Sequence, residues 1–148
     1  MSSSDEPLPA EAWAIIEAPD ARDIQLLDDR IYEFNAARTG ITDARLLTIL
    51  LRARDGDIIA GLYGWTWGRC CEVKTLWVHE NWRSKGLGTR LMRAAEAEAR
   101  RRDATQIVLS THDFQAPEFY KRLGFETVGH VDDYPVGYQS IYLRKPLA

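Results

Sequence analysis

The stretch Thr75-Leu76-Trp77-Val78-His79-Glu80-Asn81-Trp82-Arg83-Ser84-Lys85-Gly86-Leu87-Gly88-Thr89 decides how this chain is read. An apolar, β-prone run ends at Val78, and an Ala-, Leu- and Arg-rich segment of helical character begins near Leu87. Two glycines and two basic residues therefore fall where a strand hands over to a helix. The first turn of a helix carries N–H groups without intrahelical partners and a partial positive charge. Gly86 and Gly88 clear side chains from that turn and tolerate unusual backbone angles. Arg83 and Lys85 add full charges. Such a turn predicts an anion cradle, of a size that suits a pyrophosphate.

The glycine spacing excludes two common cradles. A Walker A loop needs four residues between its glycines and a Gly-Lys-Ser/Thr ending, and both are missing. A dinucleotide-binding fingerprint needs a third glycine three residues after the second, and that position is Leu91. Val78, four residues, Arg83-x-x-Gly86-x-Gly88, then Thr89 resembles instead the acetyl-CoA-binding motif of the GNAT superfamily of N-acetyltransferases. Further on, Ala116-Pro117-Glu118-Phe119-Tyr120 followed by Gly124-Phe125 resembles the later motif of that family. The resemblance is specific over about Glu72 to Val128.

Outward from the cradle, turn residues and periodicity predict the remaining elements. Trp13–Glu17 reads as a first strand. Ile24, Leu27, Ile31 and Phe34 recur at helical spacing and predict a helix with one buried face, ended by Gly40. Leu46–Ala53 and Ile58–Trp65 flank an Asp55-Gly56 turn, and Cys70–Val78 follows Gly68 as a fourth strand. The helix from Leu87 to Arg102 places Gly88, Met92, Ala95 and Ala99 on one face, with Glu96/Arg100 and Glu98/Arg102 pairs expected in water. Gln106–Thr111 is a fifth strand. Pro117 starts a short helix that Gly124 ends, and Phe125–Val131 and Tyr138–Leu143 are the last strands, joined around Pro135. The order β-α-β-β-β-α-β-α-β-β predicts one α/β (α+β) domain over residues 1–148 with a disordered tail at 1–10. The resemblance implies a mixed, mainly antiparallel sheet with helices on both faces, whose fourth and fifth strands splay to admit a thioester.

The resemblance implies acetyl transfer from acetyl-CoA, as co-substrate, to a primary amine by direct attack in a ternary complex. It implies that Arg83, Ser84, Lys85, Gly86, Leu87, Gly88 and Thr89 hold the pyrophosphate. Leu76, Trp77 and Val78 would pair with the pantetheine arm, a backbone N–H of Trp77 or Val78 facing the thioester carbonyl. A catalytic glutamate stands in the histone acetyltransferase branch where Glu72 stands here, eleven residues before Arg83. Glu72 is the candidate base and Tyr120 the candidate acid for the departing thiolate. The family often has an asparagine where this chain has Asp113, and an ionised aspartate donates no hydrogen bond.

At 148 residues and net charge −3, the chain is long enough for a core and is not built as a general nucleic-acid binder. No apolar run approaches the ~20 residues of a membrane span. Cys70 and Cys71 are adjacent, which disfavours a disulfide between them, and predict reduced thiols in a cytoplasmic protein. No metal-ligand spacing is present, and His79, His112 and His130 are expected in solvent. Arg30–Thr42 and His130–Tyr138 are the segments that would choose the amine, a small molecule or peptide. Tyr32, Trp65, Trp67 and Tyr134 are candidate walls, and Asp132 and Asp133 candidate attractors of a cation. A homodimer is a further implication of the resemblance. A non-catalytic acyl-CoA-sensing module is the alternative function, and phosphate transfer ranks last.

Overall fold

The computed structural model describes residues 6–9 and 13–147. The chain divides into two compact units, Met1–Gly40 and Ile41–Ala148. The tail expected over residues 1–10 lies largely outside the described residues.

Among its described residues the first unit holds one helix, α1 (Ala21–Thr39). Asp20 caps it by accepting from the Arg22 N–H at 2.8 Å, and Gly40 ends it in the left-handed region at φ 73°. Two expectations fail here. Trp13–Glu17 forms no strand. A short apolar run becomes a strand only where a ladder takes its backbone groups; none does, and Ile15 is 96% exposed. The apolar stripe of α1 is also not a buried face: Ile24, Leu27, Ile31 and Phe34 are all exposed. Among the described residues of this unit no second layer is present for the helix to bury against.

The second unit is a mixed α/β fold around a six-stranded sheet. Its strands are β1 (Arg45–Arg52), β2 (Ile58–Trp67), β3 (Cys70–Val78), β4 (Gln106–His112), β5 (Glu126–Asp132) and β6 (Gln139–Pro146). The spatial order is β1-β2-β3-β4-β6-β5. All neighbours are antiparallel except β3 and β4. That parallel step needs a crossover, which α2 (Leu87–Arg101) supplies. The strands expected fourth and fifth are thus β3 and β4. The β2–β3 turn is tight because Gly68 and Arg69 both take positive φ, 57° and 66°.

Helix α2 buries Leu91, Met92, Ala95 and Ala99, and its alanines let it lie close on Leu62, Cys71, Ile107 and Leu143. The short α3 (Pro117–Arg122) adds Tyr120, and Leu123 and Phe125 enter the same core. The Glu98/Arg102 pair expected in water is instead largely buried. The Arg102 side chain is 12% exposed and bonds Glu98 at 2.9 Å, the Leu46 carbonyl at 3.0 Å and Thr66 Oγ1 at 3.2 Å. A guanidinium carries several donors in a fixed fork, so one side chain ties the end of α2 to β1 and β2. Glu96 likewise reaches Lys145 of β6 at 2.8 Å.

Gly64 sets the shape of the sheet between β2 and β4. β2 and β3 slip register there: Tyr63 pairs with Thr75, but Gly64 pairs with Val73, leaving Lys74 as an extra residue. A Cβ on Gly64 would stand 1.9 Å from the Glu72 carbonyl oxygen. A bulge bends its strand, and the β3–β4 ladder ends at the same level, with Val73 opposite Leu109. Beyond it the two strands part.

Candidate active site

The parted strands open a cavity of about 600 Å³. β3 contributes Lys74, Thr75, Leu76 and Val78, and β4 contributes Ser110 and Thr111. Past Val73 no strand among the described residues pairs with the β3 edge facing β4, so its backbone groups can pair with an extended guest.

The cradle turn lines the same cavity through Arg83, Ser84, Gly86, Leu87, Gly88 and Thr89. A 3₁₀ turn, Glu80–Trp82, leads into it, and the His79 ring accepts the Asn81 N–H at 3.1 Å. Arg83 folds back so that its Nε donates to the Val78 carbonyl at 3.0 Å, joining the loop to the end of β3. Ser84 and Gly86 take positive φ, 61° and 80°. Gly86 is the N-cap of α2 and supplies no capping side chain. The first N–H groups of the helix are therefore left for a ligand. A Cβ at Gly86 would meet nothing within 4 Å, so backbone angle is what asks for glycine there. At Gly88 the reason is different: a Cβ would lie 3.3 Å from the Phe119 ring of α3.

The charged residues lining the cavity are Lys74, Arg83 and Arg122, with no carboxylate among them. On a chain of net charge −3 this is a local reversal of sign. Lys74 and Arg122 escaped the sequence reading because each comes from an element remote from the glycine turn. Lys85 does not line the cavity; its Nζ lies over the Trp82 ring, 5.4 Å from the centroid.

Tyr120 lines the cavity and is buried at 9% exposure. Its ring meets Phe119 and Phe125 edge-on, with centroids 5.0 and 5.8 Å away. Burial raises its phenol pKa above the ordinary value, so the hydroxyl stays a proton donor through neutral pH.

The side chains of Trp77, Glu72 and Asp113 also lie outside the lining of this cavity. The Trp77 side chain lines a second, smaller cavity of about 320 Å³ with Leu50 and Tyr63. Glu72 lies in the paired part of β3, opposite Val108, and is not among the lining residues. Partners in parallel strands share a face, and Ser110 is two residues beyond Val108 on that face. Glu72 thus lies roughly 6–7 Å along the strands from the cavity edge. Asp113 sits on an exposed turn, its backbone N–H donating to the Gln139 carbonyl at 3.1 Å. Of the candidate walls, Trp67 uses its indole N–H on the Ile41 carbonyl at 3.0 Å, and Trp65 is half-buried on β2.

A split sheet, a basic cavity at an uncapped helix start and a buried phenol meet in one place, an arrangement able to bind an anionic donor beside a proton-donating hydroxyl. The comparisons with known proteins make this specific: the chain belongs to the acetyltransferase (GNAT) family, whose profile matches residues 10–125. It is an acetyl-transferring enzyme, and its family uses acetyl-CoA. Blasticidin-S acetyltransferase of Streptomyces morookaense is 38% identical over 117 residues, 74% of this chain and 84% of the relative. An acetyltransferase of Agrobacterium fabrum is 30% identical over 133 residues, 90% and 97% of the two chains. The crystal structure of an acetyltransferase from Agrobacterium tumefaciens superposes with a TM-score of 0.79 at 30% identity, covering 90% of this chain and 98% of that one. Among the described residues no helix is long and apolar enough to cross a membrane.

Proposed function

We propose that this enzyme moves an acetyl group from acetyl-CoA to a primary amine of a small molecule, by direct attack within the cleft between β3 and β4. The observation that carries this reading is that the strand split, the uncapped α2 N-terminus and three cations, with no carboxylate among the described lining residues, all meet at one cavity. Its residues fit the donor by charge and by form. Arg83 and the N–H groups of residues 86–89 would hold the diphosphate, with Ser84 and Thr89 as hydroxyl partners and Lys85 as a nearby charge. The open β3 edge at Leu76–Val78 would pair with the amides of the pantetheine arm. Acetyl-CoA supplies the activated acetyl thioester.

The chain must then manage two protons. An alkyl ammonium of pKa ~10.4 costs about 4–5 kcal/mol to deprotonate at pH 7. Glu72 is the proposed acceptor, acting through a water because it stops short of the cavity. As the new N–C bond forms the nitrogen gives up its second proton to solvent, and as the C–S bond breaks Tyr120 gives its proton to the sulfur and regains one from solvent. A backbone N–H on the open β3 edge, at Trp77 or Val78, steadies charge on the carbonyl oxygen. The cysteines do not compete as nucleophiles. Neither lines the cavity, and burial first, then Cys70 beside it, pushes the Cys71 thiol up to about 11.

Similarity to blasticidin-S acetyltransferase supports an antibiotic-like amine as acceptor. Incubating the protein with acetyl-CoA and a panel of amines is expected to release free thiol in step with amine consumed. Binding of acetyl-CoA without thiol release on any amine contradicts the proposal.

A further inference from the structure

Between the two cavity-lining pairs Ser110-Thr111 and Gln115-Ala116 the chain makes a tight turn whose tip faces away from the core. The Gln115 N–H donates to the His112 carbonyl at 2.9 Å, and Gln115 Oε1 accepts the His112 N–H at 2.7 Å and the Thr111 hydroxyl at 3.1 Å. The turn is thereby fixed to the cavity wall, and its tip carries Phe114. The β5–β6 loop meets this tip. His112 Nδ1 lies 2.8 Å from the Tyr134 carbonyl. A carbonyl only accepts, so Nδ1 carries the proton. The loop is itself closed by Tyr134 N–H to the Tyr138 carbonyl at 3.2 Å, and by Tyr138 N–H to the Pro135 carbonyl at 2.9 Å.

Four rings form a continuous group. His112 stacks on Phe114 at 5.2 Å with planes 6° apart, and Tyr134 stands edge-on to His112 at 5.4 Å. Tyr138 stands edge-on to Phe114 at 5.0 Å. Phe114, Tyr134 and Tyr138 nonetheless remain 54%, 57% and 48% exposed. Rings locked by hydrogen-bonded backbone yet half open to water are a binding surface with little ordering left to do. Around them, residues 110–116 and 130–140 hold Asp113, Asp132 and Asp133 and no lysine or arginine. The cations stand in the adjoining cavity, which suits an anionic donor, and the carboxylates stand here, which suits a cationic acceptor.

We propose that this aromatic ledge, Phe114 with Tyr134 and Tyr138, receives a flat, π-bonded ring on the amine acceptor. The proposal rests on the acetyl-transfer reading above and gives its substrate class: an ammonium compound bearing a planar ring. Ring faces favour a π partner by stacking and a nearby cation by their quadrupole.

The test is thiol release by the full chain with acetyl-CoA and two probe amines, 2-phenylethylamine and 2-cyclohexylethylamine. They share chain length and amine position, and only the first has a flat ring. The cyclohexyl compound is the more apolar, so simple burial of hydrocarbon favours it. The ledge predicts about tenfold higher kcat/KM for the phenyl amine, the scale that one or two ring contacts deliver. Phe114→Leu and, separately, Tyr138→Leu should erase that preference chiefly through KM. Equal kcat/KM for the two amines in the unmodified enzyme, or a preference that survives both variants, overturns the ledge while leaving acetyl transfer intact. No thiol release with these or any panel amine overturns both.

Discussion

Gly64→Ala destabilises this protein by about 3 kcal/mol or more, whereas Gly129→Ala changes stability by less than about 0.5 kcal/mol. Overpacking against movable side chains typically costs 1–3 kcal/mol. At Gly64 the obstacle is main chain: the added Cβ would stand 1.9 Å from the Glu72 carbonyl oxygen and 3.0 Å from Val73 Cα. Relief requires β3 to move off β2, and with it the bulge at Lys74 that turns β3 away from β4. A Cβ on Gly129, also beside a register shift, meets nothing within 4 Å. Both are strand glycines with ordinary φ, so propensity cancels in the comparison. Urea unfolding followed by circular dichroism gives the two values. For a domain of ordinary stability, about 5–15 kcal/mol, the loss at Gly64 is a large share of the whole. Equal effects at the two sites would mean that Gly64 does not shape the strand split.

Tyr120→Phe lowers kcat about a hundredfold and leaves KM for acetyl-CoA within about threefold. The magnitude is the low end of what positioned proton transfer contributes. The free thiolate lies only ~2 kcal/mol above the thiol at pH 7, so the acid assists a leaving group that is already fair. The ring and its edge contacts with Phe119 and Phe125 survive the change. The pH sign comes from burial. Desolvation raises the phenol pKa, so the protonated, competent form persists to above pH 10. The unmodified enzyme should show no decline on the alkaline side below about pH 10 that disappears in Tyr120→Phe. An unchanged kcat in the variant removes Tyr120 from the mechanism.

The elements from Leu46 to Leu143 were legible because their signals are local. Gly68 and Asp55-Gly56 mark turns, Pro117 and Gly124 bracket a helix, and Met92, Ala95 and Ala99 keep helical spacing. What failed depended on partners. Trp13–Glu17 has strand composition but no ladder, and the stripe of α1 has no second layer within its unit. Gly64 looked like any strand glycine until Glu72 stood against it across the bulge, and Gly88 until Phe119 did. At the site the glycine turn and Tyr120 were readable from motif and order, while Lys74 and Arg122 were not, because folding brings them there from separate elements. Phe114 and Tyr138, in different loops, gave no joint signal at all; their meeting is a product of the β4–β6 pairing that ends at His112 and Ser140.

Donor binding in the proposed reaction depends on main-chain N–H groups and cations around Arg83–Thr89 gripping a diphosphate. Calorimetric titration of acetyl-CoA beside S-acetylpantetheine, which carries the same thioester arm without the diphosphate, tests that grip directly. Charge-assisted hydrogen bonds contribute about 1.5–3 kcal/mol each, so two of them correspond to at least a hundredfold in Kd. Acetyl-CoA should bind at least about a hundredfold tighter than S-acetylpantetheine, with Gly86→Val eroding only the former. Equal affinity for the two, or no uptake of acetyl-CoA, would refute the diphosphate grip.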